Sequence, residues 1–246
     1  MTTQILSSHA IIDEWQRFST KLRFKFLLPR VRTATIAGIK LDVSPLSPIM
    51  KNIIMTGRYE APERSLVARA LAPDDTVLEL GGAIGFIGLF CRRVIGVRHV
   101  TSVEASPSTL AMLRRNYALN GLEPDVIHAA AAAEDGELDL NIGGEFWENT
   151  VTGTSSQTVR VPALSLESIF KRMPQTPTAL VCDIEGAEQY LDLHRLPATL
   201  TKIIIELHPA IIGKARTDSI LIQLANQGFV EKAEDDGTYL LMRQVN

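Results

Sequence analysis

The chain has 246 residues, 46% of them hydrophobic and 22% charged, with 25 basic residues against 28 acidic ones and a formal net charge of -3. This is the composition of an ordinary soluble globular protein. It argues against a dedicated nucleic-acid binder, which draws its affinity from a surplus of positive charge. No stretch approaches the roughly 18 apolar residues that insert stably across a bilayer.

The first residues meet acidic side chains before any long apolar region forms, so no secretory signal is expected. Cys91 and Cys182 lie in apolar surroundings without disulfide or metal-ligand spacing, and are expected as core thiols in a reducing, cytoplasmic setting. In chain order, Leu6, Ile12, Trp15 and Phe18 recur roughly at helical spacing. The segment "KLRFKFLLPRVR" (residues 21–32) mixes basic residues with Leu and Phe. Packing against the core, with Lys and Arg stems along the surface, is favoured there over contact with an anionic membrane. "ATIAGIKLDV" predicts a hairpin turning near Gly38 and ended by Pro45 and Pro48. Pro62 opens a helix over "APERSLVARAL". Residues 1–56 are thus expected as an N-terminal extension, suited either to a homodimer contact or to covering an acceptor site. Residues 57–246 are expected as the main domain.

From Asp75 the pattern becomes regular. "TVLELGG" reads as a buried strand, "FIGLFCRRV" as a helix and "HVTSVEAS" as a second strand. "SPSTLAMLRRNYALNG" follows as a helix capped by Ser106, with Pro107 in its first turn and Gly121 closing it. "DVIHAAA" is a third strand, and "GELDLNI" with "QTVRVPAL" a hairpin. "ALVCDIEG" is a fourth strand leading into a helix from Ala187, and "KIIIELHP" a fifth, followed by a helix ending at Gly228. "GFVEKAEDDGTYLLMRQ" closes as a hairpin turning at Asp236–Gly237. Apolar runs alternating with helices predict an α/β fold: a doubly wound, Rossmann-like, mostly parallel sheet covered on both faces. The closing hairpin predicts one antiparallel strand, at the edge.

In such a sheet, ligands sit at the carboxyl ends of the strands. Those ends carry Glu79, Glu104, Asp183 with Glu185, and Glu206 with His208. Like charges repel at close range, so a purely structural protein has little reason to gather carboxylates there. "VLELGGAIGFIG" (residues 77–88) lacks the lysine of a nucleotide-triphosphate loop, and Ala83 stands where a dinucleotide fingerprint needs its middle glycine. Glu79, two residues before Gly81, repels a pyrophosphate and suits a ligand bearing positive charge. Glu104 fits an acidic residue accepting from ribose hydroxyls. A cationic nucleoside without phosphates describes S-adenosylmethionine.

"VLELGGAIGFIG", "VTSVEASP", "HAAAAAEDGELDL" and above all "CDIEGAE", followed by "IIIELHP", resemble the FkbM-type S-adenosylmethionine-dependent methyltransferases of class I fold. The resemblance runs from "GRYEAPE" at Gly57 to the C-terminus. It implies a seven-stranded sheet with the last strand antiparallel, and O-methylation of a hydroxyl on a small molecule such as a sugar or natural product. Two departures stand out: Ala83, where many class I enzymes carry glycine, and Glu79, where aspartate is common. On this reading Gly81, Gly82, Ala83 and Gly85, with Phe86 after them, let the methionyl part of the cofactor approach the backbone. Glu79 fixes the turn or meets the ammonium. Glu104 binds ribose with Ala105 and Ser106 beside the adenine, and Ala130 and Ala131 let the adenine lie against the chain. The resemblance makes Tyr59 and Glu60 a cap on the cofactor.

Asp183 leads as base or acceptor-orienting group, followed by Glu185, then by Glu206 and His208. Asp183 with Glu185 also suits a divalent cation, but two carboxylates two residues apart are no metal signature, and none is assigned. His9, His99, His128 and His194 read as structural or exposed. Trp15 and Trp147 read as packing residues, Trp147 within a connection over the strand ends ("GGEFWENTVTG") that is a candidate acceptor wall. The expected partner is therefore a small hydroxyl acceptor, with no nucleic acid and no stable membrane insertion. The competing functions are an NAD(P)-dependent oxidoreductase and a cofactor-binding protein of this fold without activity.

Overall fold

A computed structural model describes residues 23–141 and 158–244. The expected first helix, with His9 and Trp15, and the connection carrying Trp147 lie outside them. Short turns at Arg23–Leu27 and Leu28–Arg30 lead into a hairpin of β1 (Thr33–Ile36) and β2 (Ile39–Asp42). Its turn residues Ala37 and Gly38 both have positive φ, as a tight hairpin of this hand requires. Pro48 does more than end the hairpin: it starts α1 (Pro48–Met55), which Ser47 caps by accepting from the Met50 amide. α2 (Ala61–Ala70) then precedes β3 (Thr76–Leu80), α3 (Phe86–Phe90, continued by a wider turn over Cys91–Ile95), β4 (His99–Glu104) and α4 (Pro107–Leu119).

The expected third strand splits at Ala129. β5 (Asp125–His128) joins the main sheet, while β6 (Ala130–Ala131) pairs with β8 (Thr158–Leu164), which also pairs with β7 (Gly136–Asn141). α5 (Leu166–Arg172), β9 (Ala179–Cys182) and β10 (Lys202–Glu206) follow, then α6 (Pro209–Ile212), α7 (Lys214–Asn226), β11 (Phe229–Asp235) and β12 (Thr238–Arg243). No long helix starts at Ala187, only a 3-10 turn over Ala187–Tyr190. Leu191 and Leu193 are both buried in the core, and alternate burial is a demand of extended chain, not of a helix.

The main sheet has seven strands in the order β11-β12-β10-β9-β3-β4-β5. β12 runs antiparallel between β10 and β11, and the neighbouring pairs from β10 to β5 are parallel. The antiparallel strand is therefore interior, and β11 holds the edge. Alternate residues of β3 feed cores on opposite faces, Val77 into one and Leu78 and Leu80 into the other. The hairpin's Ile36, Ile39 and Leu41 share the first core with Val77, Phe86 and Leu113. Buried Asn116 on α4 accepts from the Asp42 amide at 2.7 Å and donates to the Ile84 carbonyl at 2.8 Å, tying hairpin to glycine turn. Among the described residues no helix is long and apolar enough to cross a membrane.

Candidate active site

The glycine turn is shaped first by its neighbours. The amides of Gly81 and Gly82 both donate to the Val103 carbonyl at 3.0 Å, drawing the end of β3 onto β4. Gly81 has φ +87°, and a Cβ there would lie 2.9 Å from the Asp183 carbonyl carbon and closer still to its oxygen. A Cβ on Gly82 would meet the side chains of Leu113 and Ser102, and one on Gly85 those of Leu113 and Tyr117. Glu79 sits beneath the turn, buried, with Oε1 accepting from the Gly88 amide at 2.9 Å and Oε2 from the Ser102 hydroxyl. Of the two roles expected for Glu79, these contacts belong to fixing the turn. Gly88 and Ser102, which complete that brace, escaped the sequence reading, although a fourth glycine and a serine inside an apolar strand were both there to be seen.

Glu104 ends β4 with its carboxylate held by two backbone amides, Ala83 on Oε2 at 2.8 Å and Ser106 on Oε1 at 2.7 Å. Ser106 in turn caps α4 by accepting from the Thr109 amide. The next carboxylates come from the segment after β9. The Asp183 amide donates to the Leu80 carbonyl at 3.0 Å, placing its side chain beside the glycine turn. Glu185 takes the left-handed region at φ +54° and Gly186 follows at +90°. The Ile184 amide then donates back to Glu188 Oε1 at 3.0 Å, closing a tight loop.

These parts enclose an open cleft of about 890 Å³ at the carboxyl ends of β3, β4 and β9. Of the residues singled out from sequence, Tyr59, Glu60, Glu79, Gly81, Gly82, Ala83, Phe86, Glu104, Ala105, Ala130, Ala131, Asp183 and Glu185 line it. Gly85 and Ser106 stand behind the wall. Glu206 and His208 stand beside it, in contact through His208 with Asp183 and Glu185. Glu63, Ile184 and Thr109 also face the cleft and were not anticipated. Glu63 lies in the first turn of α2 and shares a hydrogen bond with Glu60, the residue that precedes the helix. Tyr59 and Phe86 rings meet at 5.5 Å and form an aromatic wall. Three left-handed non-glycine residues, Glu60, Ala83 and Glu185, all line this cleft, and such strain collects at sites of function. His99, His128 and His194 are exposed and none lines it, although His128 Nε2 bonds the carbonyl of Ala105 on its wall at 3.1 Å.

Burial pushes the carboxyls of Glu79 and Glu104 up to about 7, even though the hydroxyl and amides they accept from pull the other way. Asp183 is raised well above the usual range by burial and then by the charges of Glu60, Glu206 and Glu185. Glu63 is raised by burial and by Glu60, with which it shares a hydrogen bond. Burial alone would lower His208, but Glu188, Asp183 and Glu185 outweigh it and push it up to about 9.

The folded chain thus holds protons on Glu79 and Glu104 that an unfolded chain releases near pH 4.5, so stability falls as pH rises from there through about 7. His208, raised from 6.5 to about 9, loses its contribution over that higher window, in the same direction. The ligand-free protein is expected to melt at a higher temperature at pH 5.5 than at pH 8.5 by scanning calorimetry. A flat or rising profile would contradict these shifts.

No protein-family model matches the chain, and no curated protein matches it either. Solved structures do. M. capricolum TrmK, in complex with S-adenosyl-homocysteine, aligns at TM-score 0.44 and 11% identity over 73% of this chain and 66% of its own. A methyltransferase from Pyrococcus furiosus aligns at 0.45 and 12%, over 94% of this chain and 99% of its own. Precorrin-6y C5,15-methyltransferase from Geobacter metallireducens GS-15 aligns at 0.48 and 10%, over 75% and 88%. This chain spans just under two thirds of TrmK. The FkbM resemblance rests on its motifs alone.

Proposed function

We propose that the chain is an S-adenosylmethionine-dependent methyltransferase that methylates a hydroxyl of a small molecule such as a sugar or natural product. One observation carries this reading: Glu60, Glu63, Glu79, Glu104, Asp183 and Glu185 converge on one cleft at the carboxyl edge of the sheet. No lysine, arginine or histidine lines it among the described residues. A pyrophosphate would be repelled there, which speaks against a nicotinamide dinucleotide, and the same charge speaks against nucleic acid as acceptor. A cationic, phosphate-free nucleoside fits. Glu104, pre-set by the Ala83 and Ser106 amides, keeps lone pairs for ribose hydroxyls. Ala105, Ala130 and Ala131 leave room for a flat base, and Glu60 with Glu63 suits an ammonium group.

S-adenosylmethionine, when bound, supplies a methyl on a sulfonium whose positive charge disappears on transfer. The chain's own part is to align an acceptor oxygen and take its proton. The reading gives this part to Asp183, and its position on the cleft wall beside Glu185, Glu206 and His208 supports it. A neighbouring positive charge lowers a carboxyl's pKa, so occupancy of the cleft favours the ionised, proton-accepting form of Asp183. Both cysteines are buried and free, in keeping with the reducing, cytoplasmic setting proposed for the chain.

Isothermal calorimetry tests the reading: S-adenosylmethionine is expected to bind and NADH not to. Glu104→Gln should weaken that binding by about 10-fold or more, because a charge-assisted bond contributes about 1.5–3 kcal/mol. Absence of S-adenosylmethionine binding would sink the proposal, and NADH binding in its place would favour the oxidoreductase.

A further inference from the structure

After β10 the chain carries His208 against the segment Asp183–Glu188, and both ring nitrogens meet carboxylates. Nε2 has Glu185 Oε2 at 3.4 Å, with Asp183 Oδ1 and Glu206 Oε1 each at 3.6 Å. Nδ1 faces Glu188 Oε1 at 3.5 Å. These separations exceed those of good hydrogen bonds, and Asp183 Oδ1 and His208 Nδ1 are buried without a hydrogen-bond partner. Among the described residues no lysine or arginine comes within ion-pair distance of Asp183, Glu188 or Glu206.

Such spacing is that of adjacent ligands on one ion. Bonds of about 2.2 Å at right angles put neighbouring donors about 3 Å apart. Asp183, Glu185 and His208 each offer a donor atom within 4.8 Å of the others. Glu188 gives a second, independent observation. It is wholly buried, its Oε1 accepts the Ile184 amide, and its Oε2 has no partner. It stands at Nδ1, the opposite side of the ring from the other three carboxylates. A carboxylate there favours a proton on Nδ1, so that a cation displacing the Nε2 proton would find Nε2 facing Asp183, Glu185 and Glu206, the arrangement that metal-binding histidines use.

We propose that Asp183, Glu185 and His208 form a binding site for one divalent cation, which Glu206, beside His208 Nε2, completes by a turn of its side chain, with Glu188 as the residue positioning His208. One imidazole and three carboxylates suit a cation of the Mn²⁺ or Mg²⁺ kind. The site adjoins the cleft through Asp183 and Glu185, where a cation would hold and acidify the acceptor hydroxyl. That use rests on the methyltransferase reading; the binding itself does not.

Metal-stripped full-length protein, titrated with Mn²⁺ in the absence of cofactor and followed by the paramagnetic resonance of the free ion, is expected to take up one Mn²⁺ per chain. His208→Ala and Glu206→Gln should each weaken uptake at least 10-fold, and Glu188→Gln by about 10-fold, as loss of a positioning carboxylate does. Glu206 is partly exposed and Gln matches its shape, so that variant still decides the matter if His208→Ala fails to fold. Absence of uptake, or uptake unchanged in Glu206→Gln, overturns the site and leaves His208 as a charged counter-ion to its carboxylates. S-adenosylmethionine is titrated separately. Mn²⁺ uptake without cofactor binding would uphold the cation site and remove the methyltransferase reading; cofactor binding without Mn²⁺ uptake would do the reverse.

Discussion

Asp183→Asn is expected to leave S-adenosylmethionine bound within a few-fold of the native affinity while lowering methyl transfer by about 10²- to 10⁴-fold, the range for loss of a positioned base. Asn keeps the shape and the backbone contacts of Asp183, whose amide ties β9 to Leu80, so the cleft itself should persist. What is lost is one of the two carboxylates, Asp183 and Glu185, that face both the cleft and His208. Transfer can be followed as label passing from methyl-labelled cofactor into a metabolite extract, with the product identified by mass. Glu104→Gln should show the opposite pattern, losing affinity first. Full turnover in Asp183→Asn would remove Asp183 from the chemistry and pass the role to Glu185 or Glu206.

Gly81→Ala is the substitution expected to do most damage to the fold. At φ +87° any side chain is strained, and this one would meet the main chain of Asp183, which no rotamer change can move aside. Both segments are already fixed, Gly81 by its bond to Val103 and Asp183 by its bond to Leu80, so β3 and β9 would have to separate. A loss of more than about 3 kcal/mol follows from overpacking and backbone strain together. Gly136→Ala is the control: nothing lies within 4 Å of its added Cβ and its φ is ordinary, so stability should stay within about 1 kcal/mol. Urea denaturation of the two variants against the native chain decides it. A Gly81→Ala protein as stable as Gly136→Ala would refute the close approach.

The sheet was readable because its strands are short apolar runs closed by glycine, proline or charge, and a fully buried strand has little room for other residues. "TVLEL", "ALVC" and "KIIIE" all became central strands. The alanine run after His128 carries no periodicity, so nothing in it marked where β5 leaves the sheet and β6 begins. The position of β12 was equally hidden, since a hairpin's sequence fixes its turn but not which arm lies inward. At the site, the glycines announced a close approach without naming what approaches; here much of it is the backbone of Asp183 and the side chains of α4. Glu63 and Glu188 were invisible for a related reason, because a carboxylate on a helix or turn reads as solvated until the fold turns it inward.

The interior position of β12 also makes one edge of the sheet depend on a single strand. β10 has β9 on one side and β12 on the other, and β11 joins the sheet through β12. Thr238 pairs with Glu206, and the Gly237 carbonyl accepts from the Leu207 amide at 3.0 Å, immediately before His208. The backbone leading into the acidic cluster around His208 is therefore held by β12 and its turn. Fraying of the C-terminal strand pair would therefore disturb that cluster while leaving the glycine turn, held by β3, β4 and β9, in place.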